Sequence, residues 1–366
     1  MENVIASFKE QILAAGAANT SGSGRTPLCI RGGGSKDWYG QASLTNGTET
    51  ILDTRAYTGI IDYEPTELVI TARCGTPLAE IEAALAANNQ MLAFEPPHFG
   101  PGATIGGMVA AGLSGPARSS VGAVRDFVLG AVLMDAKGEV LHFGGQVMKN
   151  VAGYDVSRLL TGSLGTLGLI LEASVKVLPK PIAQATVRQA MPQTQALLHL
   201  NTLGGQPLPI AASHWQDDVL TVRLAGARAA VDAAQARVGG DRLSESEADA
   251  FWLAVREHTA PFFDAPDTTP LWRLSVPSIA APLDLSGPQA IEWGGAQRWL
   301  RSTAPADKVR AIAAGVGGHA TLFRGGDKSV GVFQPLAPAV HAIHRQLKNA
   351  FDPHAIFNPG RMYPAL

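Results

Sequence analysis

Apolar residues recur every three to four positions at the start of the chain, where Ile5, Phe8 and Ile12 mark an amphipathic helix over residues 2–15. A Gly/Ser/Thr-rich stretch, 16–26, follows as a loop. The pattern then turns strand-like. Pro27 to Ile30 reads as a short buried strand, Thr50 to Thr54 and Gly59 to Tyr63 as two more, and Glu67 to Ala72 as a stronger one rich in β-branched residues. Pro77 opens a helix to residue 88 that carries Leu78, Ile81 and Leu85 on one face, and its alanine exterior predicts close packing. A tight turn into a small-residue helix is expected over 104–112, a hairpin over Asp126–Asp135 and Glu139–Phe143, and a strand over Leu169–Val177. Pro179-Lys180-Pro181 marks a domain boundary.

From Ile210 the pattern changes. Val219–Leu224, Leu271–Val276, Ala290–Trp293, Gln297–Arg301 and Ala320–Phe323 read as strands. Helices are predicted over Ala227–Val238, Glu247–His258, Ala306–Ala314 and Pro335–Asn349, the last aligning Val340, Ile343 and Leu347. Strands mixed with helices but lacking regular βαβ spacing predict an antiparallel α+β unit. Three parts are expected: residues 1–180, a second unit over 181–330, and a C-terminal helix and tail over 331–366 that returns to the first.

The chain's 366 residues are 46% hydrophobic, enough for a large core. Twenty-nine basic residues face 31 acidic ones without a basic block, which argues against a nucleic-acid partner. No apolar run reaches the roughly 18–20 residues of a membrane span, and the N-terminus lacks a signal-peptide pattern, so a cytoplasmic location is expected. Cys29 and Cys74 are expected to be free thiols.

Glycine carries the candidate chemistry. Arg31-Gly32-Gly33-Gly34-Ser35-Lys36 follows a strand and offers consecutive amides that can converge on an anion, with Arg31 or Lys36 adding charge. Asp37 stands where a Walker A loop needs a hydroxyl, and no convincing helix follows as a Rossmann fingerprint requires. By itself the run could equally be a surface turn. The turn at Thr104-Ile105-Gly106-Gly107 would aim helix-terminal amides at a phosphate.

Taken in order, Arg31–Lys36, Pro101-Gly102-Ala103-Thr104-Ile105-Gly106-Gly107, Val124-Arg125-Asp126, Lys149-Asn150-Val151-Ala152-Gly153-Tyr154-Asp155 and Gly162-Ser163-Leu164-Gly165-Thr166-Leu167-Gly168 resemble the FAD-binding domain of the vanillyl-alcohol oxidase and p-cresol methylhydroxylase (PCMH) family. Phe351–Met362 resembles that family's final flavin-contacting segment. Within the family the chain is similar to the smaller flavin subunits of bacterial glycolate oxidases. The resemblance implies an α+β fold in which a two-part FAD domain precedes an antiparallel cap. It further implies two partners, a larger flavin subunit and an iron–sulfur subunit, and peripheral association with the inner face of the cell membrane through that complex. Residues 31–36 and 104–107 would surround the pyrophosphate and Gly162 to Ile170 the adenosine. Gly75, Pro97, Gly102, Arg118, Val124, Arg125, Asp126, Lys149, Asn150, Gly153, Tyr154, Asp155, Gly165, Thr166, Gly168, Asn358 and Arg361 complete the implied cofactor set. Ser35 and Lys36 occupy positions where members that tether flavin covalently place histidine, so noncovalent FAD is expected; His98 and Cys74 are the alternative attachment points.

The second half is chemically quiet. Oxidation of a 2-hydroxy acid needs an arginine for the carboxylate and a base for the hydroxyl proton. His319 and Arg324 are the candidates, with Arg273 and Arg118 as further clamps, although each fits a structural role as well. His341 and His344 lack a third ligand, and no metal site is expected. Glycolate oxidation with electrons passed to the iron–sulfur partner is the leading expectation; a non-catalytic electron-relay subunit and a standalone alcohol oxidase are the alternatives.

Overall fold

A computed structural model describes residues 1–17, 26–42, 49–145, 154–264, 268–364 and 366. The helix Glu2–Gly16 buries Phe8, Ile12 and Ala15, as its periodicity requires. Against it lies a parallel pair, Leu28–Arg31 with Thr50–Asp53, in the register Leu28 to Thr50. A five-stranded antiparallel sheet follows, in the order Ile60–Glu64, Val69–Arg73, Leu169–Lys176, Val128–Met134, Val140–Gly144. The helix Leu78–Ala86 packs Leu78, Ile81 and Leu85 into its core. Ala79, Ala83 and Ala86 on that helix are exposed, so its alanine face meets water rather than a close neighbour.

The other large sheet has eight antiparallel strands in the order Asp241–Arg242, Ala183–Ala190, Val219–Gly226, Ile210–Gln216, Gln289–Glu292, Gln297–Arg301, Leu271–Ser275, His319–Arg324. Ala183–Ala190, Ile210–Gln216 and the helix Gln193–Gly204 have no counterpart in the sequence reading. Alternation is weak there: Ala183–Ala190 buries only Ala185, Thr186 and Val187 in a row of polar residues. A helical turn, Val124–Phe127, also replaces the expected start of the Asp126 strand. The chain is thus α+β, with two antiparallel sheets and covering helices.

The last helix, Pro338–Phe351, does not seat its whole apolar stripe. Leu347 and Phe351 pack on the first core, whereas Val340 and Ile343 are exposed. Beyond it the tail returns to the first strand, where Phe357 bridges Leu28. Lys348 fixes that return from inside, donating to Asp352 Oδ2 (2.7 Å), Thr166 O (2.7 Å) and Phe357 O (2.8 Å). Among the described residues no helix is long and apolar enough to cross a membrane.

Candidate cofactor site

The strand Leu28–Arg31 delivers the glycine run to the mouth of a cavity of about 330 Å³. Its walls include Arg31 to Asp37, Tyr39, Thr104, Gly107, Ala110, Ala111, Leu164, Asn358 and Arg361. The glycines are required first by each other. A Cβ on Gly33 would lie 1.5 Å from the Gly102 carbonyl oxygen, and one on Gly32 would lie 2.6 Å from Thr104 Oγ1. The two loops therefore interlock backbone to backbone, and the amides they leave form one wall of the cavity. Gly34 turns the chain at φ +74°, with the Arg31 guanidinium folded across it and paired with Asp37 at 2.6 Å.

The C-terminal tail closes the site. Asn358 accepts from the Ile30 N–H through Oδ1 (2.8 Å) and donates from Nδ2 to Leu164 O (2.6 Å), holding the first strand and the 162–168 turn together. Arg361 Nη2 donates to the carbonyls of Lys36 and Asp37. From the other side Lys328 donates to Trp38 O and Gly40 O. Residues 36–41 are thus gripped by both halves.

The cavity is polar at one end and apolar at the other. Arg31, Asp37, Glu49, Cys29 and Arg361 mark the first; Tyr39, Ala110, Ala111 and Leu164 mark the second. Behind Tyr39 stands a continuous set of rings, Trp38, Phe99, Phe323, His258, Phe263 and Trp299, in edge and stacked contacts of 4.0–5.9 Å between centroids. Lys36 lies between the regions, donating to His98 O (3.1 Å) and Ser35 Oγ (3.4 Å) with its ammonium 5.6 Å from the Phe99 ring centre. Burial holds its pKa down to about 8. Amides and cations beside an apolar slot suit a ligand with a phosphate part and a flat ring part.

Of the residues expected at the cofactor, Arg31, Gly32, Gly33, Gly34, Ser35, Lys36, Thr104, Gly107, Asn358 and Arg361 line this cavity. Gly102 backs Gly33, Gly106 backs Cys74, Gly75 lies against Thr54 O, and Gly165 lies against Asn358. Ile105, Val124 and Ile170 are core. Gly162 and Gly168 are turn glycines with positive φ, and Thr166 holds Lys348 through its carbonyl. Leu164 is the member of the 162–170 stretch on the cavity wall. Asp126 caps its own turn at Ala123 N–H with Arg125 beside it, Asp155 caps the turn at Arg158, and Tyr154 is 92% exposed. Lys149, Asn150 and Gly153 lie outside the described residues. Pro97 borders a small interior space shared with Arg273 and Glu292. Arg118 stacks on Trp293 at 4.5 Å, its pKa lowered by burial and by Arg273.

The alternative attachment points both turn away. Cys74 is a core residue whose thiol is pushed up to about 12 by burial, and His98 Nε2 faces Glu82 Oε1 at 3.1 Å. His319 and Arg324 occupy opposite ends of one strand, about 17 Å apart at 3.3 Å per residue. Arg324 lies 4.2 Å over the Trp38 ring in a separate groove, while exposed His319 borders none of the described cavities. The sequence reading missed Cys29, Tyr39, Glu49, Ala110, Ala111 and Leu164 on the cavity wall. Only Ala110 and Ala111 carried a signal, as small residues on the helix after Gly107.

Fold and cavity together define an FAD-binding flavoprotein. Residues 10–144 match the model of the FAD binding domain family. "Glycolate oxidase subunit GlcE" of Escherichia coli (strain K12) is 49% identical over 348 residues, covering 95% of this chain and 96% of that protein. "Glycolate oxidase subunit GlcD" of Bacillus subtilis (strain 168) is 32% identical over 164 residues, 44% of this chain and 34% of that one. Among solved structures, an alkyldihydroxyacetonephosphate synthase superposes with a TM-score of 0.66 at 14% identity, covering 97% of this chain and 75% of its own, which is a likeness of fold. The chain belongs to the GlcE family of glycolate oxidase subunits.

Proposed function

We propose that the cavity between the Arg31–Asp37 loop, the Thr104–Ala111 helix and the C-terminal tail holds FAD noncovalently, and that the chain works within a complex that oxidises glycolate to glyoxylate. The observation that carries this reading is the interlock of Gly33 with Gly102, which leaves main-chain amides beside a slot of matching apolar and polar ends. When bound, FAD supplies a hydride acceptor. The chain's own residues orient it: the glycine loops and Arg31 at the diphosphate, Tyr39, Ala111 and Leu164 along the ring. Residues 181–330 serve as the cap and 331–366 as the closing segment. The absence of a cysteine cluster from the sequence supports transfer of electrons to a separate iron–sulfur subunit. Cytoplasmic placement, peripheral at the membrane through the complex, accords with this role.

One observation favours a second reading. The cap side of the slot is filled by the Tyr39–Phe323–Trp299 rings, and His319 and Arg324 do not converge on it. A subunit that relays electrons through its flavin, while a partner binds the hydroxy acid, is consistent with that packing. Adding glycolate anaerobically to the FAD-loaded chain separates the two. Prompt bleaching without partners supports direct oxidation; bleaching only with partners present supports the relay. A purified chain that carries no flavin and takes up none refutes both.

A further inference from the structure

Lys36 is the cation whose environment is least settled without a ligand. Its two acceptors at the cavity wall, His98 O and Ser35 Oγ, are neutral, and among the described residues no carboxylate forms an ion pair with it. The negative charge it senses is Glu257, whose oxygens accept instead from the N–H groups of His98 and Phe99 at 2.7–3.2 Å. Lys36, the His98–Phe99 peptides and Glu257 thus form a bridge from the cavity to the helix Glu245–Glu257, with the ammonium at the cavity end.

Position separates Lys36 from the other cations of the site. Arg31 folds over Gly34 and pairs with Asp37 at the polar end, and Arg361 is spent on the carbonyls of Lys36 and Asp37. Lys36 instead faces the ring-rich side, beside Phe99 and two residues from Trp38. A charge in so dry a position acts strongly on any charge that develops beside it.

Resting on the proposed FAD site, we propose that Lys36 tunes the redox potential of the flavin by compensating the negative charge of its reduced ring, rather than by anchoring its diphosphate. The 2-hydroxy acid loses two electrons and a proton as hydride from carbon and a second proton from its hydroxyl. Flavin takes the hydride and becomes an anion, and Lys36 offsets that added charge.

The test is a reductive titration of FAD-loaded wild-type, K36M and K36R chains against reference dyes, with the affinity for oxidised FAD measured beside it. K36M is expected to bind oxidised FAD nearly as well as wild type but to bind reduced FAD about tenfold less tightly relative to it, a fall of about 30 mV for a two-electron couple. K36R, which keeps the charge, holds the wild-type potential. Equal weakening of both redox forms in K36M, with the potential unchanged, would place Lys36 at the diphosphate and overturn the inference. A K36R potential as low as that of K36M would overturn it too, and K36Q is read in the same way should K36M not fold. Failure of wild type to take up FAD would instead refute the cofactor site itself.

Discussion

At the scale of single residues, buried groups set the pH response. Glu292 is enclosed, accepting from Trp299 Nε1 (2.5 Å) and Gln297 Nε2 (3.2 Å), and burial raises its pKa from 4.5 to about 7. The folded chain therefore holds this proton more firmly than the unfolded one, and the associated stability is full below pH 4.5 and lost as pH rises to about 7. The shift corresponds to roughly 3 kcal/mol. Urea midpoints measured between pH 4.5 and 7.5 should fall for wild type relative to E292Q; parallel curves would refute the assignment. His214 has the opposite sign. Burial lowers it to about 4, so its contribution is present above pH 6.5 and lost as pH falls toward 4. Gly33 was legible as a special position from sequence, but its reason was not. G33A should abolish FAD uptake, because the Cβ cannot share space with the Gly102 carbonyl; retention of wild-type affinity, read by flavin fluorescence, would contradict the interlock.

Elements formed where periodicity was strong and escaped where it was weak. The first helix and the helix over Ala306–Gly315 follow their apolar spacing, and the Asp135–Glu139 hairpin turn forms where expected. Ala183–Ala190 was illegible because its neighbours in the eight-stranded sheet, rather than its own alternation, decide its conformation. The last helix shows the converse: Val340 and Ile343 have the right spacing yet meet no core. Its anchor is Lys348 with Asp352, a buried pair that apolar spacing does not reveal. K348A leaves Asp352 buried without its cation and should cost about 3–5 kcal/mol. A loss below about 1 kcal/mol in urea unfolding would show that the backbone amides of Ile356 and Phe357 suffice for Asp352.

Across the whole molecule, a few polar links join the two sheets around the site. Arg223 of the eight-stranded sheet pairs with Glu95 at 2.8 Å, Trp293 donates to Gly115 O, and Glu257 holds the amides of His98 and Phe99. Both Glu95 and Phe99 adopt positive φ, at 49° and 53°, a conformation that such contacts must maintain. E257A is expected to free that segment, so that the His98 and Phe99 amides exchange with solvent at least about tenfold faster, equivalent to about 1.4 kcal/mol. Unchanged protection in hydrogen-exchange measurements would show that the segment is held by other contacts. FAD present at about a hundredfold its dissociation constant should add about 2.7 kcal/mol to the stability of the folded chain, visible as a rise in melting temperature.

The sequence by itself determined the antiparallel α+β character, the early helix, the strand that runs into three glycines, and the flavin reading, because these depend on local spacing, backbone permissiveness and motif order. Only the tertiary structure decided that Gly33 and Gly102 answer to each other, that Asn358 joins the first strand to Leu164 across 328 and 194 residues, and that Lys36 lies on the ring-rich side of the slot. Those facts are relations between distant segments, and no local pattern encodes which backbone another segment will meet.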